Sequence, residues 1–163
     1  MHYHNITKDD MRNGDGLRVV LWVSGCEHTC AGCHNQFTWE AKSGIVFDEE
    51  AKQELFLELD KAYISGITLS GGDPLYHANR EQIEELLKMV KEKYPQKNVW
   101  LYTGYLWEEV RKNVIMKYVD ILIDGKYEET LADAQSKWRG SKNQRVIDVK
   151  KSIEKEKAVL YCE

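Results

Sequence analysis

Three cysteines in the first quarter of the chain are the residues best suited to chemistry. Cys26, Cys30 and Cys33 form a C-x3-C-x2-C cluster directly after an apolar run. Cysteine thiolates hold iron–sulfur clusters, and a [4Fe–4S] cube normally takes four of them. The remaining cysteine, Cys162, is far away in the sequence. If a cube forms here, one iron is left open to bind a small molecule, which would turn an electron carrier into a catalyst.

The same residues also fit other sites. Residues 30–34 spell C-x-x-C-H, the pattern for haem attachment, but residues 1–4 do not begin a secretion signal. The three cysteines with His28 or His34 would make a Cys3His zinc site, although structural zinc usually draws its ligands from two separated knuckles. A disulfide framework is disfavoured, because clustered cysteines in a chain of cytosolic type favour metal or redox chemistry.

Length and composition predict a single domain that spans residues 1–163. Apolar residues make up 42% of the chain and charged residues 31%, with a formal charge of −4. This is an ordinary globular mixture, and its acidic balance argues against nucleic acid as the main partner. No apolar run approaches the roughly 20 residues that span a bilayer. We therefore expect a soluble, cytoplasmic protein without a membrane partner.

Strands and helices are predicted to alternate along the chain. Apolar runs predict strands at 17–24, 67–69, 98–102, 119–123 and 145–149. Helical spacing predicts helices at 48–63 and 107–113, and a third that begins at Asn79 as its N-cap, with Gln82 three residues on. This alternation indicates βαβ units and a mainly parallel sheet. A complete (β/α)8 barrel needs about 250 residues, so the expected fold is an α/β partial open barrel or open sheet. It would have about five or six mainly parallel strands.

Four loops each follow a predicted strand. They are the cysteine cluster, Ser70 to Pro74, Thr103–Gly104 and Asp124–Gly125. Because the carboxyl ends of parallel strands meet at one edge, we expect these loops to surround one cavity.

The cysteine cluster and the later G-G-D-P sequence, residues 71–74, resemble the paired signature of radical S-adenosylmethionine (SAM) enzymes. Three more segments extend the resemblance: N-G-D-G-L-R at 13–18, Y-T-G-Y at 102–105 and W-R-G-S-K-N-Q-R at 138–145. With them, the chain is similar to the activating proteins of anaerobic (class III) ribonucleoside-triphosphate reductases. One departure is Gly32, since many superfamily members carry an aromatic residue before the third cysteine.

The resemblance implies a partial barrel of radical SAM type, with one [4Fe–4S] cluster on the three cysteines and SAM on its open iron. The reduced cluster would cleave SAM to methionine and a 5′-deoxyadenosyl radical. This radical would take hydrogen from a glycine of the anaerobic ribonucleoside-triphosphate reductase and leave a glycyl radical. Reduced flavodoxin or ferredoxin would supply the electron.

The resemblance further implies that SAM contacts eight residues: Gly32, Cys33, His34, Gly71, Gly72, Asp73, Thr103 and Asp124. The glycine–aspartate loop would hold the methionine ammonium, and the backbone around the third cysteine would lie beside the adenine. The last two residues would contact the carboxylate or ribose, although ordinary turn and cap roles explain them as well. No role follows for Asn143, Gln144, Arg145 or Cys162.

The tryptophans are assigned by position. Trp22 and Trp100 fall inside predicted strands and are expected in the core, whereas Trp39 and Trp107 lie nearer loops and could belong to a partner surface. Two other functions stay open. One is a compact radical SAM enzyme with another target, and the other is a zinc or iron–sulfur interaction module without catalysis.

Overall fold

A mixed sheet of eight strands organises the computed structural model, which describes residues 1–162. The strands are β1 (His2–Asp10), β2 (Leu17–Val23), β3 (Ile45–Val46), β4 (Ile64–Gly71), β5 (Asn98–Tyr102), β6 (Ile121–Asp124), β7 (Arg145–Asp148) and β8 (Leu160–Cys162). Their order across the sheet is β3-β1-β2-β4-β5-β6-β7-β8.

The centre of the sheet is parallel and its two sides are antiparallel. Strands β2, β4, β5 and β6 run parallel to one another. Strands β1 and β3 pair antiparallel on one side, as do β7 and β8 on the other. The predicted α/β class is confirmed, and all five predicted strands are present. The predicted total of five or six mainly parallel strands is wrong, because the sheet has eight strands and four of its pairings are antiparallel. Strands β1, β3 and β8 were not predicted, because they lie toward the edges of the sheet and are short or largely polar.

Each face of the parallel strands buries its own set of side chains, because side chains alternate along a strand. Leu21, Leu69 and Leu101 belong to the larger core, which also takes up the apolar faces of the helices. Trp100, Ile121, Ile123 and Val146 form a second cluster, with Trp138 packed against it. We call this second face the concave side of the sheet, because Tyr161 of β8 reaches across it to Trp100 and Asp15.

Within residues 1–162, four α-helices cover the sheet: α1 (Glu49–Leu59), α2 (Arg80–Lys93), α3 (Trp107–Val110) and α4 (Val149–Lys155). Helix α1 starts where the Asp48 carboxylate accepts the Ala51 N–H at 2.9 Å, and it ends before the expected Tyr63. Trp107 of α3 is buried in the larger core, so the expectation of a surface role is wrong. Trp100 is buried as expected, whereas Trp22 is only half-buried.

Asn79 precedes α2 but does not cap it through its side chain. Its Nδ2 instead donates to the Ser24 carbonyl at 2.8 Å. Gln82 makes no capping box, since its side chain accepts from the amino group of Met1 at 2.5 Å. The expected cap is therefore replaced by a bond that fixes the start of α2 to the chain just before the cysteines.

The concave side contains a buried arginine and a long-range contact. The guanidinium of Arg18 donates to the Thr68 hydroxyl at 2.8 Å and lies over the Trp100 ring, 5.3 Å from its centroid. Burial lowers the pKa of Arg18 to about 10. On the same side, the Tyr161 hydroxyl in β8 donates to the Asp15 carboxylate just before β2. The sheet therefore curls enough to bring its last strand to the start of its first parallel strand.

Across residues 1–162, the helices are all too short or too polar to cross a lipid bilayer.

Candidate functional site

An open cavity of about 140 Å³ lies at the carboxyl ends of the parallel strands. Its walls are Cys26, His28, Cys30, Cys33, Asn35, Trp39, Ser70, Gly71, Gly72, Asp73, Tyr102, Thr103, Gly104, Gly125, Lys126, Tyr127 and Gln144. All four loops that follow the predicted parallel strands contribute to it. The expectation that they surround one cavity is confirmed.

The three cysteines are free, half-buried thiols on one wall of this cavity. Burial raises the pKa of the Cys26 thiol to about 11, and a hydrogen bond from the His28 backbone opposes part of that rise. Burial also raises the pKa of Cys30, against a hydrogen bond from the Tyr127 backbone N–H. The Asn35 N–H donates to the Cys33 sulfur at 3.4 Å. Burial disfavours the charged thiolates, so a bound positive charge would be needed to stabilise them. The irons of a cluster would supply that charge, and the amide donors would add hydrogen bonds to the sulfurs.

The three sulfurs do not meet at one point. Within residues 1–162, no three cysteine, histidine, aspartate or glutamate side chains converge closely enough to hold a single metal ion. Cysteines that bind a cube each take a different iron, so their sulfurs stand apart.

The Gly71–Gly72 pair lets its loop approach the end of β2 closely. A Cβ on Gly71 would lie 2.5 Å from the Val23 carbonyl oxygen, and its φ is +104°. A Cβ on Gly72 would lie 2.5 Å from the Gly25 carbonyl oxygen. Only glycine fits both positions, and the contact joins the loop to the residue that precedes Cys26.

Asp73 is buried at the back of the cavity, where its carboxylate joins three loops. Its Oδ2 accepts from His28 Nε2 at 2.6 Å, from the Thr103 hydroxyl at 2.9 Å and from the Gly104 N–H at 3.0 Å. Its Oδ1 accepts the Leu75 N–H at 2.8 Å. The Asp73 carboxylate, which was predicted to hold a ligand, is thus already fixed by hydrogen bonds within the protein. His28 was considered from the sequence only as a zinc ligand, so its bond to Asp73 was not expected.

Asp124 does not line the cavity. Ile121 and Ile123 point to the concave side, so alternation along β6 sends Asp124 to the opposite face. There it accepts the Trp107 N–H at 2.8 Å and the Arg145 guanidinium at 2.5 Å. These hydrogen bonds raise the pKa of Arg145. The structure therefore places Asp124 in a buried ion pair, away from the position expected for a SAM contact.

Gly32 and His34 also lie outside the cavity wall, although Cys33 between them belongs to it. They contact residues 125–129, which we call the covering loop. The His34 ring packs against Tyr127 with centroids 5.3 Å apart. Gly32 has φ +75°, and a Cβ there would lie 2.8 Å from the carboxyl carbon of Glu129. The space of the missing aromatic residue is thus next to a glutamate side chain of the covering loop.

Several wall residues were not assigned to this cavity from the sequence: His28, Asn35, Trp39, Tyr102, Lys126, Tyr127 and Gln144. Tyr102 is the last residue of β5, directly before Thr103. Burial raises the pKa of its phenol. The position of His28 between two of the cysteines was the only local signal. Gln144 belongs to the W-R-G-S-K-N-Q-R segment, which was noted for its resemblance and not for a role.

The chain is similar to known proteins over most of its length. Residues 12–147 match the family model described as a 4Fe-4S single cluster domain. The chain is 49% identical to the anaerobic ribonucleoside-triphosphate reductase-activating protein of Enterobacteria phage T4, over 90% of this chain and 93% of that protein. It is 40% identical to the protein of the same name from Vibrio cholerae, over 88% and 96% of the two chains. The corresponding values for Escherichia coli (strain K12) are 38%, 90% and 97%.

Proposed function

The chain belongs to the family of anaerobic ribonucleoside-triphosphate reductase-activating proteins, with a 4Fe-4S single cluster domain, and we propose that it activates such a reductase. The reaction would be that of a radical SAM enzyme. A reduced [4Fe–4S] cluster held by Cys26, Cys30 and Cys33 would supply the electron for reductive cleavage of the C5′–S bond of SAM, and the resulting 5′-deoxyadenosyl radical would take hydrogen from a glycine Cα of the reductase. The products are methionine, 5′-deoxyadenosine and a protein glycyl radical.

Cys26, Cys30 and Cys33 would hold the cluster. The observation that carries the proposal is that these free thiols line the same cavity as the Gly71–Asp73 loop and Thr103. Because only three thiols line the cavity, one iron would stay open for SAM.

The Gly71–Asp73 loop would orient the methionine end of SAM beside that iron. The loop lines the cavity, and backbone carbonyl groups can accept the N–H bonds that an ammonium offers. Asp73 would act mainly by fixing the loop, since His28 and Thr103 already bond its carboxylate. The backbone of Gly32, Cys33 and His34 would pass beside the adenine. In this proposal Asp124 supports α3 and β7 and makes no contact with SAM.

The four parallel strands would form the core of a partial radical SAM barrel. A barrel of this size leaves its mouth open, which suits a glycine presented by another protein. Reduced flavodoxin or ferredoxin would supply the electron, and the cytoplasmic location predicted from the sequence stays a prediction.

The test is anaerobic reconstitution with iron and sulfide, followed by reduction and addition of SAM and the reductase. We expect 5′-deoxyadenosine by chromatography and a glycyl radical signal in the electron paramagnetic resonance (EPR) spectrum of the reductase. Cys30→Ser should abolish both, because it removes one of three cluster ligands. Cys162→Ser is the matched control and should keep both, since Cys162 lies in β8 outside the cavity.

Three outcomes would contradict the proposal. Bound zinc without SAM cleavage would support an interaction module. SAM cleavage with no radical on the reductase would point to another target. Full activity of Cys30→Ser would place the cluster elsewhere.

A further inference from the structure

The covering loop brings an amide donor and a positive charge to Cys30 from outside the cysteine loop. Lys126 and Tyr127 line the cavity together with Cys30. The Tyr127 backbone N–H and the Lys126 charge both favour the thiolate of Cys30, and they oppose the burial that raises its pKa. The contacts of Tyr127 with His34 and of Glu129 with Gly32 place the loop over the C-terminal part of the cysteine cluster.

Two neighbouring carboxamides hold the covering loop in this place. Gln144 Nε2 donates to the Gly125 carbonyl at 3.0 Å. Asn143 Nδ2 donates to the Lys126 carbonyl at 2.7 Å. Both bonds end on the backbone within two residues of the Tyr127 N–H, so they control where that donor points.

The Gln144 carboxamide is itself anchored. Gln144 Oε1 accepts the N–H groups of Gly140 and Ser141 at 2.9 and 3.1 Å. The Arg139 guanidinium donates to the Gln144 carbonyl at 2.8 Å. Most residues of the W-R-G-S-K-N-Q-R segment take part in the hydrogen bonds that hold the covering loop or that fix Gln144. The segment therefore supports the covering loop.

We propose that Asn143 and Gln144 are positioning residues that raise the reduction potential of the cluster by holding the covering loop against Cys30. The inference rests on the proposed function in one respect, which is that the cluster binds the three cysteines. Reduction adds one negative charge to the cluster. An amide donor and an ammonium beside a cysteine sulfur stabilise that added charge, and hydrogen bonds to the sulfurs are known to set cluster potentials.

Two neutral substitutions of similar size test the proposal. Asn143→Leu removes the bond to Lys126 and little else, because Asn143 Oδ1 has no hydrogen-bond partner among the described residues. Gln144→Met removes the bond to Gly125 and the two bonds that Oε1 accepts from Gly140 and Ser141. The backbone carbonyl of residue 144 still accepts from Arg139. Gln135→Met is the matched control, an exposed glutamine in the same stretch of chain.

The measurement is an EPR-monitored redox titration of each full-length chain after anaerobic reconstitution, with iron and sulfide content determined first. We expect midpoints more negative than wild type for Asn143→Leu and Gln144→Met, and an unchanged midpoint for Gln135→Met. Lys126→Met should shift the midpoint in the same direction without touching the carboxamides.

The sign of the shift decides the matter. A loosened loop would also admit water, which stabilises the more highly charged reduced cluster and raises the potential. Unchanged or raised midpoints in the two variants would therefore overturn the inference, as would loss of cluster binding in both. A wild-type chain that binds no cluster would contradict the proposed function instead.

Discussion

One oxygen of Asp73 holds the back of the cavity together. It accepts hydrogen bonds from His28 in the cysteine loop and from Thr103 and Gly104 after β5. The His28 side chain is almost fully buried, and its ring packs edge-on against Tyr105 with centroids 4.6 Å apart. His28 therefore transmits the position of the Gly71–Asp73 loop to the segment between Cys26 and Cys30.

His28→Ala should weaken SAM binding while the chain still takes up its cluster. Losing a hydrogen bond to a charged group costs about 1.5–3 kcal/mol, so the dissociation constant of SAM should rise roughly tenfold or more. The measurement is equilibrium dialysis of SAM against the reconstituted chain, with iron content determined on the same sample. His77→Ala, at an exposed histidine, is the control and should bind SAM as wild type does. Unchanged affinity in His28→Ala would show that Asp73 fixes its loop without His28.

Local spacing explains which site residues could be predicted. The cysteines and the Gly71–Asp73 loop are contiguous patterns, and the structure places them on one cavity. His28 meets Asp73 across 45 positions, and no local pattern reports that pairing. Asp124 was misplaced because the apolar strand before it hides which of its residues faces the concave side. The hydrogen bond from Gln144 to the Gly125 carbonyl could not be predicted either, because it joins residues 19 positions apart and no local pattern reports it.

Asp120 connects strands and helices at the opposite end of the parallel strands from the cavity. Its carboxylate bonds the Val99 N–H at 2.8 Å at the start of β5 and Lys91 of α2 at 2.6 Å. Lys150 of α4 lies 3.2 Å from its other oxygen. Burial disfavours the charged form, but these donors outweigh it and hold the pKa of Asp120 below its usual value.

Asp120→Asn should destabilise the protein at neutral pH and much less in acid. A carboxyl with a lowered pKa in the folded state stabilises the fold above its unfolded pKa of about 3.9. That contribution is lost as the pH falls through the folded value. At pH 7 we expect a loss of about 1–3 kcal/mol in the free energy of unfolding. Urea unfolding of both chains at pH 7 and pH 3 measures it, and a difference that grows in acid would contradict the assignment.

The elements themselves were predictable where they are apolar. Strands β2, β4, β5, β6 and β7 are buried runs, and the sequence located all five, although β4 is longer than expected. Strand β1 consists largely of polar residues and lies toward one side of the sheet, whereas β3 and β8 have only two and three residues. Pairing with a neighbour makes these segments strands, and that pairing is a property of the fold and not of their composition.

The cavity is assembled from parts of the chain that are far apart in sequence. The cysteine loop forms one wall, and the covering loop and Gln144 form another. Only a few side-chain and backbone contacts join the two, such as the Tyr127 ring on His34. The parallel strands beneath them are held by continuous ladders of hydrogen bonds.

Removal of the cluster should therefore loosen the mouth of the cavity and leave the sheet intact. Amide hydrogen exchange should accelerate in residues 26–35 and 125–129 after anaerobic treatment with an iron chelator. Exchange in β4 and β5 should stay slow, because their backbone groups are buried and paired whether or not iron is present. Mass spectrometry of peptic fragments measures both regions in one experiment. Equal acceleration in the sheet would mean that the cluster supports the whole fold.

The bond between Tyr161 and Asp15 also bears on how the protein is made. A ribosome delivers the cysteines early, the covering loop later and β8 last, so Trp100 lacks the contact of the Tyr161 ring until β8 emerges. Domains complete their folding only when such late segments are available. During every round of translation, the three thiols pass through an interval in which neither the covering loop nor the finished sheet shields them. That interval is when metal can reach them with the least obstruction, and also when oxygen can.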